Sequence, residues 1–523
     1  MDTTKAPMRY PIGIQTFRDV REGGYAYVDK TRYLYELRHG SGKSYFLSRP
    51  RRFGKSLLLS TMQAYFEGRR ELFEGLAANE LEDDWDPRPV IRLDLSTVKA
   101  TNVQELRELL DVVLWRCEQT FGREAGLVTP GSRLLGLIHR ASAQAARQAV
   151  VLVDEYDAPL LNAVHDEETL GAFRTVMREF YAPLKACDED LEFVFITGIT
   201  KFSQLSIFSE LNNLRNISMD QRYAAVCGIT EEELTGELAV GVDQFAGAVG
   251  VDVPAAVALL KKHYDGYHFC DRSPDVYNPF SLLSALDEGA VRPYWFDSDT
   301  PTFLLELLKR HDWDIAGLEG KVARASSFNL PTERLDTPLP MLYQGGYLTI
   351  KGYDAVRDAY TLGIPNEEVS RGLSECLVQR AAPGALMEHY TFLDGLADCV
   401  RAGDVEGMLQ RIRSYLASIP YHLGSHDERG FETTFFLIFD LLGIQIQTEF
   451  KTATGRVDAV IETPQLVCVL EFKYDGSARR ALAQIDEKGY LVPFETDGRR
   501  LVKVGVSYSG VQRTIDEWLI EEG

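Results

Sequence analysis

Short apolar runs alternate with longer amphipathic stretches through the first part of the chain. Tyr45-Phe-Leu-Ser48 has the length of a strand, and Lys55-Ser-Leu-Leu-Leu-Ser-Thr-Met-Gln-Ala-Tyr-Phe66 after it reads as a helix. Further strands are predicted at Pro89–Ser96, Ala149–Asp154, Leu191–Thr197 and around Tyr223–Cys227. Strands alternating with helices predict an α/β fold with a parallel sheet. From Thr230-Glu-Glu-Glu-Leu234, a helix start with acidic residues in its first turn, the pattern becomes helical, and Tyr277–Leu283 restarts it. Gly346–Tyr353 and Ala359–Pro365 predict a two-stranded wing after helices, read as a lid or spacer in preference to a DNA reader. Residues 366–430 look helical. The C-terminal part shows an apolar helix at Phe431–Leu442, strands at Arg456–Glu462 and Leu466–Lys473 joined by a turn, and a helix from Ala478.

This pattern separates two identical tripeptides. Gly-Lys-Ser occurs at Gly42–Ser44 and again at Gly54–Ser56. A phosphate loop needs a strand before it and a helix after it, so that loop and helix N–H groups converge on the anion. The first copy has the reverse order: the helical stretch Thr31–Arg38 precedes it and the strand follows. The second copy fits, although Arg49 stands where the G-x-x-x-x-G-K-[ST] template asks for glycine. Lys55 is then placed on the β/γ-phosphates and Ser56 on Mg²⁺. The strand Ala149–Asp154 ends in Asp154-Glu155-Tyr156-Asp157, which offers Asp154 to the metal and Glu155 to the attacking water, with Asp157 as the other carboxylate. Thr197 and Thr200, at the end of the next strand, are candidates for a polar sensor of the γ-phosphate. Asp29 reads as the cap of the helix that starts at Thr31, in preference to an adenine contact for Tyr27–Thr31. His263 and His268 lack the spacing of a helical metal pair and read as a packing turn.

Composition narrows the class. A chain of 523 residues exceeds one ordinary core, and 45% hydrophobic with 26% charged residues is the balance of a soluble globular protein. The expected location is the cytoplasm: no apolar run has the length of a membrane span, and no signal-peptide core is present. The seven cysteines include no C-x-x-C pair, which speaks against structural zinc. A formal net charge of −22 excludes a surface that grips nucleic acid everywhere, so contact with DNA or RNA must be local.

A second constellation lies near the C-terminus. Glu471 and Lys473 are two apart, on one face of a strand whose preceding residues are apolar, so both are led into a buried place. Asp458 on the preceding strand would share Mg²⁺, or Mn²⁺, with Glu471, and Lys473 would orient or activate water. A four-residue connection, Thr463–Leu466, sets Asp458 opposite Glu471 and Glu462 opposite Val467. Gln484 on the following helix and Glu432 on the preceding one complete the set. From 431 to 523 there are ten Lys/Arg against fifteen Asp/Glu, so this part has no strong electrostatic grip of its own.

Tyr10-Pro-Ile-Gly-Ile-Gln15, Tyr27-Val-Asp-Lys-Thr31, Tyr45–Ser56 with its Arg-Pro-Arg-Arg-Phe-Gly-Lys-Ser loop, and Asp154-Glu-Tyr-Asp157 resemble the AAA-ATPase-like family of prokaryotic proteins. That family usually carries a C-terminal PD-(D/E)XK nuclease-like domain, which Glu432, Asp458, Glu471-Phe-Lys473 and Gln484 resemble in order. Lys488 stands where the related Q-x-x-x-Y pattern has tyrosine, which leaves Tyr490 without an assigned role. The resemblance implies ATP contacts from Arg49, Arg52, Phe53, Gly54, Lys55, Ser56, Leu57, Asp154 and Thr197. It implies a P-loop ATPase domain at 1–230, a helical lid at 231–335, a winged-helix-like and helical linker at 336–430, and the nuclease-like domain at 431–523. The expected function is an ATP-binding and ATP-hydrolysing switch over a metal-dependent nuclease acting on DNA or RNA, in a defence setting. A homo-oligomer is compatible with this, with Arg215 as a candidate arginine donor to a neighbour. The alternative is an ATP-gated scaffold whose nuclease fold serves for interaction.

Overall fold

The computed structural model describes residues 8–163, 166–200, 214–295, 318–324, 327–328, 339–373, 386–418, 431, 435, 438–439, 445–451, 455–463, 465–496 and 498–522. They group into two compact units, drawn from Met1–Asp299 with Gly320–Glu367 and from Thr300–Glu319 with Glu368–Gly523.

The first unit is built on a five-stranded sheet of β1 (Ser44–Ser48), β2 (Val90–Asp94), β3 (Ala149–Asp154), β4 (Leu191–Gly198) and β5 (Leu214–Asn216), ordered β2-β3-β4-β1-β5. All pairings are parallel. Such strands are covered on both faces, and β3 is buried at every position. Helix α1 (Thr31–Arg38) precedes β1 and α2 (Lys55–Phe66) follows it. Helices α3 (Val103–Phe121), α4 (Pro130–Ala145) and α5 (Glu167–Tyr181) pack their apolar stripes into the core around β3. Their starts are fixed by side-chain caps from Asn102, Thr129 and Asp166. Asp29 accepts the N–H of Thr31 (2.8 Å) at the start of α1 and that of Ala77 (2.7 Å), so one carboxylate ties two helix starts together.

The expected strand at Tyr223–Cys227 does not form; these residues make a short 3₁₀ turn and bends, and β5 lies earlier in the chain. The carbonyls of Tyr223 and Ala224 are turned onto the Arg49 guanidinium, which removes them from any ladder.

Helices α6 (Ala239–Val249), α7 (Val253–Tyr264) and α8 (Pro279–Glu288) form a second core with Tyr10, Leu234 and Tyr277. The wing has three strands: β6 (Lys321–Arg324), β7 (Thr349–Asp354) and β8 (Ala359–Gly363), antiparallel in the order β6-β8-β7. These elements press on the phosphate loop. Phe53 lies edge-on to Tyr267 (4.8 Å) and Phe269 (5.6 Å), and Trp295 donates to the Arg51 carbonyl (3.3 Å). Among the described residues no single helix is long and apolar enough to cross a membrane.

The second unit holds another five-stranded sheet: β9 (Gln445–Lys451), β10 (Arg456–Glu462), β11 (Leu466–Tyr474), β12 (Arg500–Ser509) and β13 (Thr514–Glu522), ordered β13-β12-β11-β10-β9. Only the β11–β12 pairing is parallel. A parallel neighbour requires a crossover, here α11 (Ala478–Lys488), which packs on one face with Tyr490 and Phe494. Helices α9 (Leu386–Ala402) and α10 (Val405–Ser418), with Phe431, Phe435 and Phe439, cover the other face.

Candidate active sites

The phosphate loop runs from the C-terminal end of β1 to α2. Gly54 adopts φ 86° and Arg52 φ 64°, left-handed conformations that turn the loop into the helix. A glycine at position 54 meets this at no steric cost. Lys55 is buried, and its Nζ donates to the carbonyls of Arg49 (3.0 Å) and Pro50 (2.8 Å). Burial lowers its pKa, against the opposing pull of Glu155, Asp154 and Asp157. Ser56, in the first turn of α2, is partly exposed. Lys43 lies at the other end of β1, where it pairs with Asp188 (2.7 Å).

Asp154 is 2% exposed at the end of β3 and accepts the Thr197 hydroxyl (2.8 Å). Glu155 follows at φ 51°, a strained conformation for a non-glycine residue of the kind concentrated at functional sites. Burial raises its pKa, with the Lys55 ammonium acting in the opposite sense. Asp157 is fully buried and accepts the N–H groups of Ile199 (3.0 Å) and Thr200 (2.7 Å) and the Thr200 hydroxyl (2.9 Å). Thr197 therefore belongs with Asp154, whereas the Thr200 N–H and hydroxyl are taken up by Asp157.

The Arg49 side chain does not reach the mouth of the loop, contrary to the expectation of an ATP contact from it. Its guanidinium is 1% exposed, donates to the carbonyls of Ser48, Ser218, Tyr223 and Ala224, and stacks on Phe269 at 4.0 Å. Arg52 is exposed and covers the Phe280 ring at 4.4 Å. Phe53, Gly54 and Leu57 line an apolar pocket beside the loop with Tyr27, Val226 and Leu283. Tyr27–Thr31 thus supplies both the helix cap and a wall of this pocket. Arg215, the candidate donor to a neighbour, pairs with Asp220 (3.3 Å). Sequence reasoning passed over Arg92 on β2, whose guanidinium lies 3.7 Å from Asp154 and 3.4 Å from the Ser56 carbonyl. The alternation of β2 beside β3 was the available signal: Arg92 is a charge inside a run of strand-forming residues.

In the second unit β10 and β11 pair with Glu462 opposite Val467 and Ala459 opposite Leu470, the expected register. Asp458 and Glu471 are the next residues beyond that pairing, and their carboxylates act on each other. Asp458 accepts the Phe472 N–H (2.7 Å). Glu471 is 1% exposed; its Oε1 accepts Lys473 Nζ (3.1 Å) and the Gln484 amide. Its pKa is raised to about 7, first by burial and then by the neighbouring Asp458. The other oxygen, Oε2, is buried and has no hydrogen-bond partner among the described residues. A buried carboxylate with an unused oxygen, facing a second carboxylate, is the donor set a hard divalent cation takes. Asp458, Glu471, Lys473 and Gln484 are brought together; Glu432 lies outside the described residues. Tyr490 is buried and donates to the Arg456 carbonyl (2.8 Å), which holds the start of the strand bearing Asp458.

Comparison with known proteins agrees with the two domain types. Residues 11–208 match the family model described as "Predicted AAA-ATPase", and residues 426–518 match the PD-(D/E)XK nuclease superfamily. A protein of Azotobacter chroococcum mcd 1, described as "Uncharacterized protein in vnfD 5'region", is 34% identical over 532 residues, spanning 98% of this chain and 99% of its own length. The chain belongs to the AAA-ATPase-like family, with a C-terminal domain of the PD-(D/E)XK nuclease superfamily.

Proposed function

We propose that the protein is an ATP-hydrolysing switch that controls cleavage of DNA or RNA at its own C-terminal site. The observation that carries this reading is the convergence of Asp458, Lys473 and Gln484 on Glu471, whose second oxygen is buried and unused. At the first site Lys55 meets the β- and γ-phosphates, and Ser56 and Asp154 hold Mg²⁺. The apolar pocket lined by Tyr27, Phe53 and Leu57 takes the base. Glu155 takes the proton of the attacking water, and Arg92 adds positive charge beside Asp154 from within the same chain. At the second site Asp458 and Glu471 hold the metal, Lys473 orients the attacking water, and Gln484 fixes the Glu471 carboxylate. Bound Mg²⁺ supplies charge neutralisation at phosphate oxygens and acidifies a coordinated water. A nuclease held behind a nucleotide switch fits a role in prokaryotic defence.

The test is incubation of the full chain with plasmid DNA, single-stranded DNA and RNA, in Mg²⁺ or Mn²⁺, with and without ATP. Cleavage of one substrate class that depends on metal, responds to ATP and disappears in Glu471→Gln is the expected result. Metal binding without cleavage of any of them would favour the scaffold reading, for which the acidic surplus of the C-terminal part also speaks.

A further inference from the structure

At the end of the parallel sheet remote from the phosphate loop, three segments converge on a small polar cluster. His139 projects from α4, Cys187 sits in the turn after the short helix Pro183–Ala186, and Asp190 ends the 3₁₀ turn that leads into β4. His139 Nδ1 lies 2.6 Å from Asp190 Oδ2, and Cys187 Sγ lies 3.8 Å from His139 Nε2. One ligand atom from each of the three side chains lies within 4.8 Å of the other two. We propose that Cys187, His139 and Asp190 form a binding site for a borderline-soft divalent cation, Zn²⁺ in the first instance. This site is separate from the two Mg²⁺ sites of the proposed function.

The thiol–imidazole contact of 3.8 Å is a long hydrogen bond to sulfur, and it is close to the edge between two ligands of one tetrahedral ion. Tetrahedral Zn²⁺ with bonds of about 2.0–2.3 Å sets ligand–ligand edges of about 3.4–3.6 Å. The two contacts engage opposite ring nitrogens, Nδ1 towards Asp190 and Nε2 towards Cys187, so one ion meets all three side chains only after the exposed imidazole turns and Asp190 changes rotamer. The His139 and Asp190 side chains are 51% and 28% exposed and can make these changes, while Cys187, at 1%, is fixed. The exposed imidazole leaves a fourth position open to water. The chemistry selects the metal: thiolate and imidazole suit zinc and its neighbours, whereas Mg²⁺ takes oxygen ligands. Asp188 and Glu189, which follow Cys187 in the chain, add negative charge, of which Lys43 neutralises Asp188. Such an ion would pin α4 to the entry of β4, the strand whose far end carries Thr197.

Sequence reasoning set zinc aside because the cysteines show no close pair. The site needs only one, with partners 48 residues earlier and three later.

Co²⁺ titration of the metal-free full-length chain tests the proposal. One Co²⁺ per chain should give a near-ultraviolet thiolate charge-transfer band with the visible bands of a tetrahedral site, and Zn²⁺ should abolish them. Cys187→Ser should remove the charge-transfer band, and His139→Gln and Asp190→Asn should weaken Co²⁺ binding about 10-fold or more. Cys117→Ser, a change at a thiol outside the cluster, should leave the spectrum intact. Oxygen-ligand sites give no thiolate band, so the readout is independent of ATP and nuclease chemistry. No charge-transfer band at saturating Co²⁺, or a band that survives Cys187→Ser, would overturn the proposal. If Cys187→Ser fails to fold, the surface change His139→Gln decides: unchanged Co²⁺ binding refutes the site.

Discussion

Lys43 and Lys55 stand in the same tripeptide but in different fields. Lys43 pairs with one carboxylate at the rim of the sheet, and Lys55 is enclosed by two loop carbonyls and faces three carboxylates. Lys55→Ala should abolish ATP binding in titration calorimetry, and Lys43→Ala should leave it nearly intact; damage in the second variant alone would misplace the loop. Glu155→Gln should bind ATP normally but turn it over about 10²–10⁴-fold more slowly, as expected for a lost general base. Turnover at the native rate would move that role to another group. Glu471 makes a prediction about pH. Its folded-state pKa of about 7 exceeds the ordinary glutamate value of 4.5, so the folded chain binds this proton more tightly than the unfolded one. Its stabilising contribution is full below the ordinary value and is lost as pH rises through about 7. In EDTA, Glu471→Gln should therefore lose less thermal stability than the native chain between about pH 5 and 8. Parallel melting-temperature profiles would contradict the burial of this carboxyl.

At the scale of elements, the Arg49 side chain joins the end of β1 to the turn at Ser218–Ala224. Arg49→Ala would strand several buried carbonyls and should cost about 3 kcal/mol or more in chemical denaturation. Arg52→Ala, at an exposed position, should change stability by about 0.5 kcal/mol or less. Equal effects would remove the bracing role from Arg49. The same residue marks where the sequence was legible and where it was not. Local order, strand then loop then helix, identified which Gly-Lys-Ser belongs to the phosphate loop. The count of residues in the turn after Glu462 set the register of β10 against β11, because a strand has only two faces. The direction of Arg49 could not be read, since it depends on carbonyls about 170 residues away. For the same reason Tyr223–Cys227 looked like a strand. Its apolar residues are buried as expected, but its carbonyls serve a side chain instead of a neighbouring strand. Arg92 stands out in the sequence only as a charge within a strand; its place beside Asp154 comes from the pairing of β2 with β3.

For the whole molecule, separable sites imply separable defects. Lys55→Ala should remove the response of cleavage to ATP, and Glu471→Gln should remove cleavage while ATP hydrolysis persists; loss of both activities in either variant would argue against a switch acting on a distinct nuclease site. The place of β11 in its sheet has a consequence for the gene as well. The strand bearing Glu471 and Lys473 is flanked by β10, made before it, and β12, made after the crossover helix. A message cut short between codons 474 and 500 would yield a chain with both chemical residues present but β11 left as a bare, apolar edge. Such edges recruit other chains. Nonsense and frameshift mutations in that interval should therefore give insoluble aggregates and not a freed C-terminal domain.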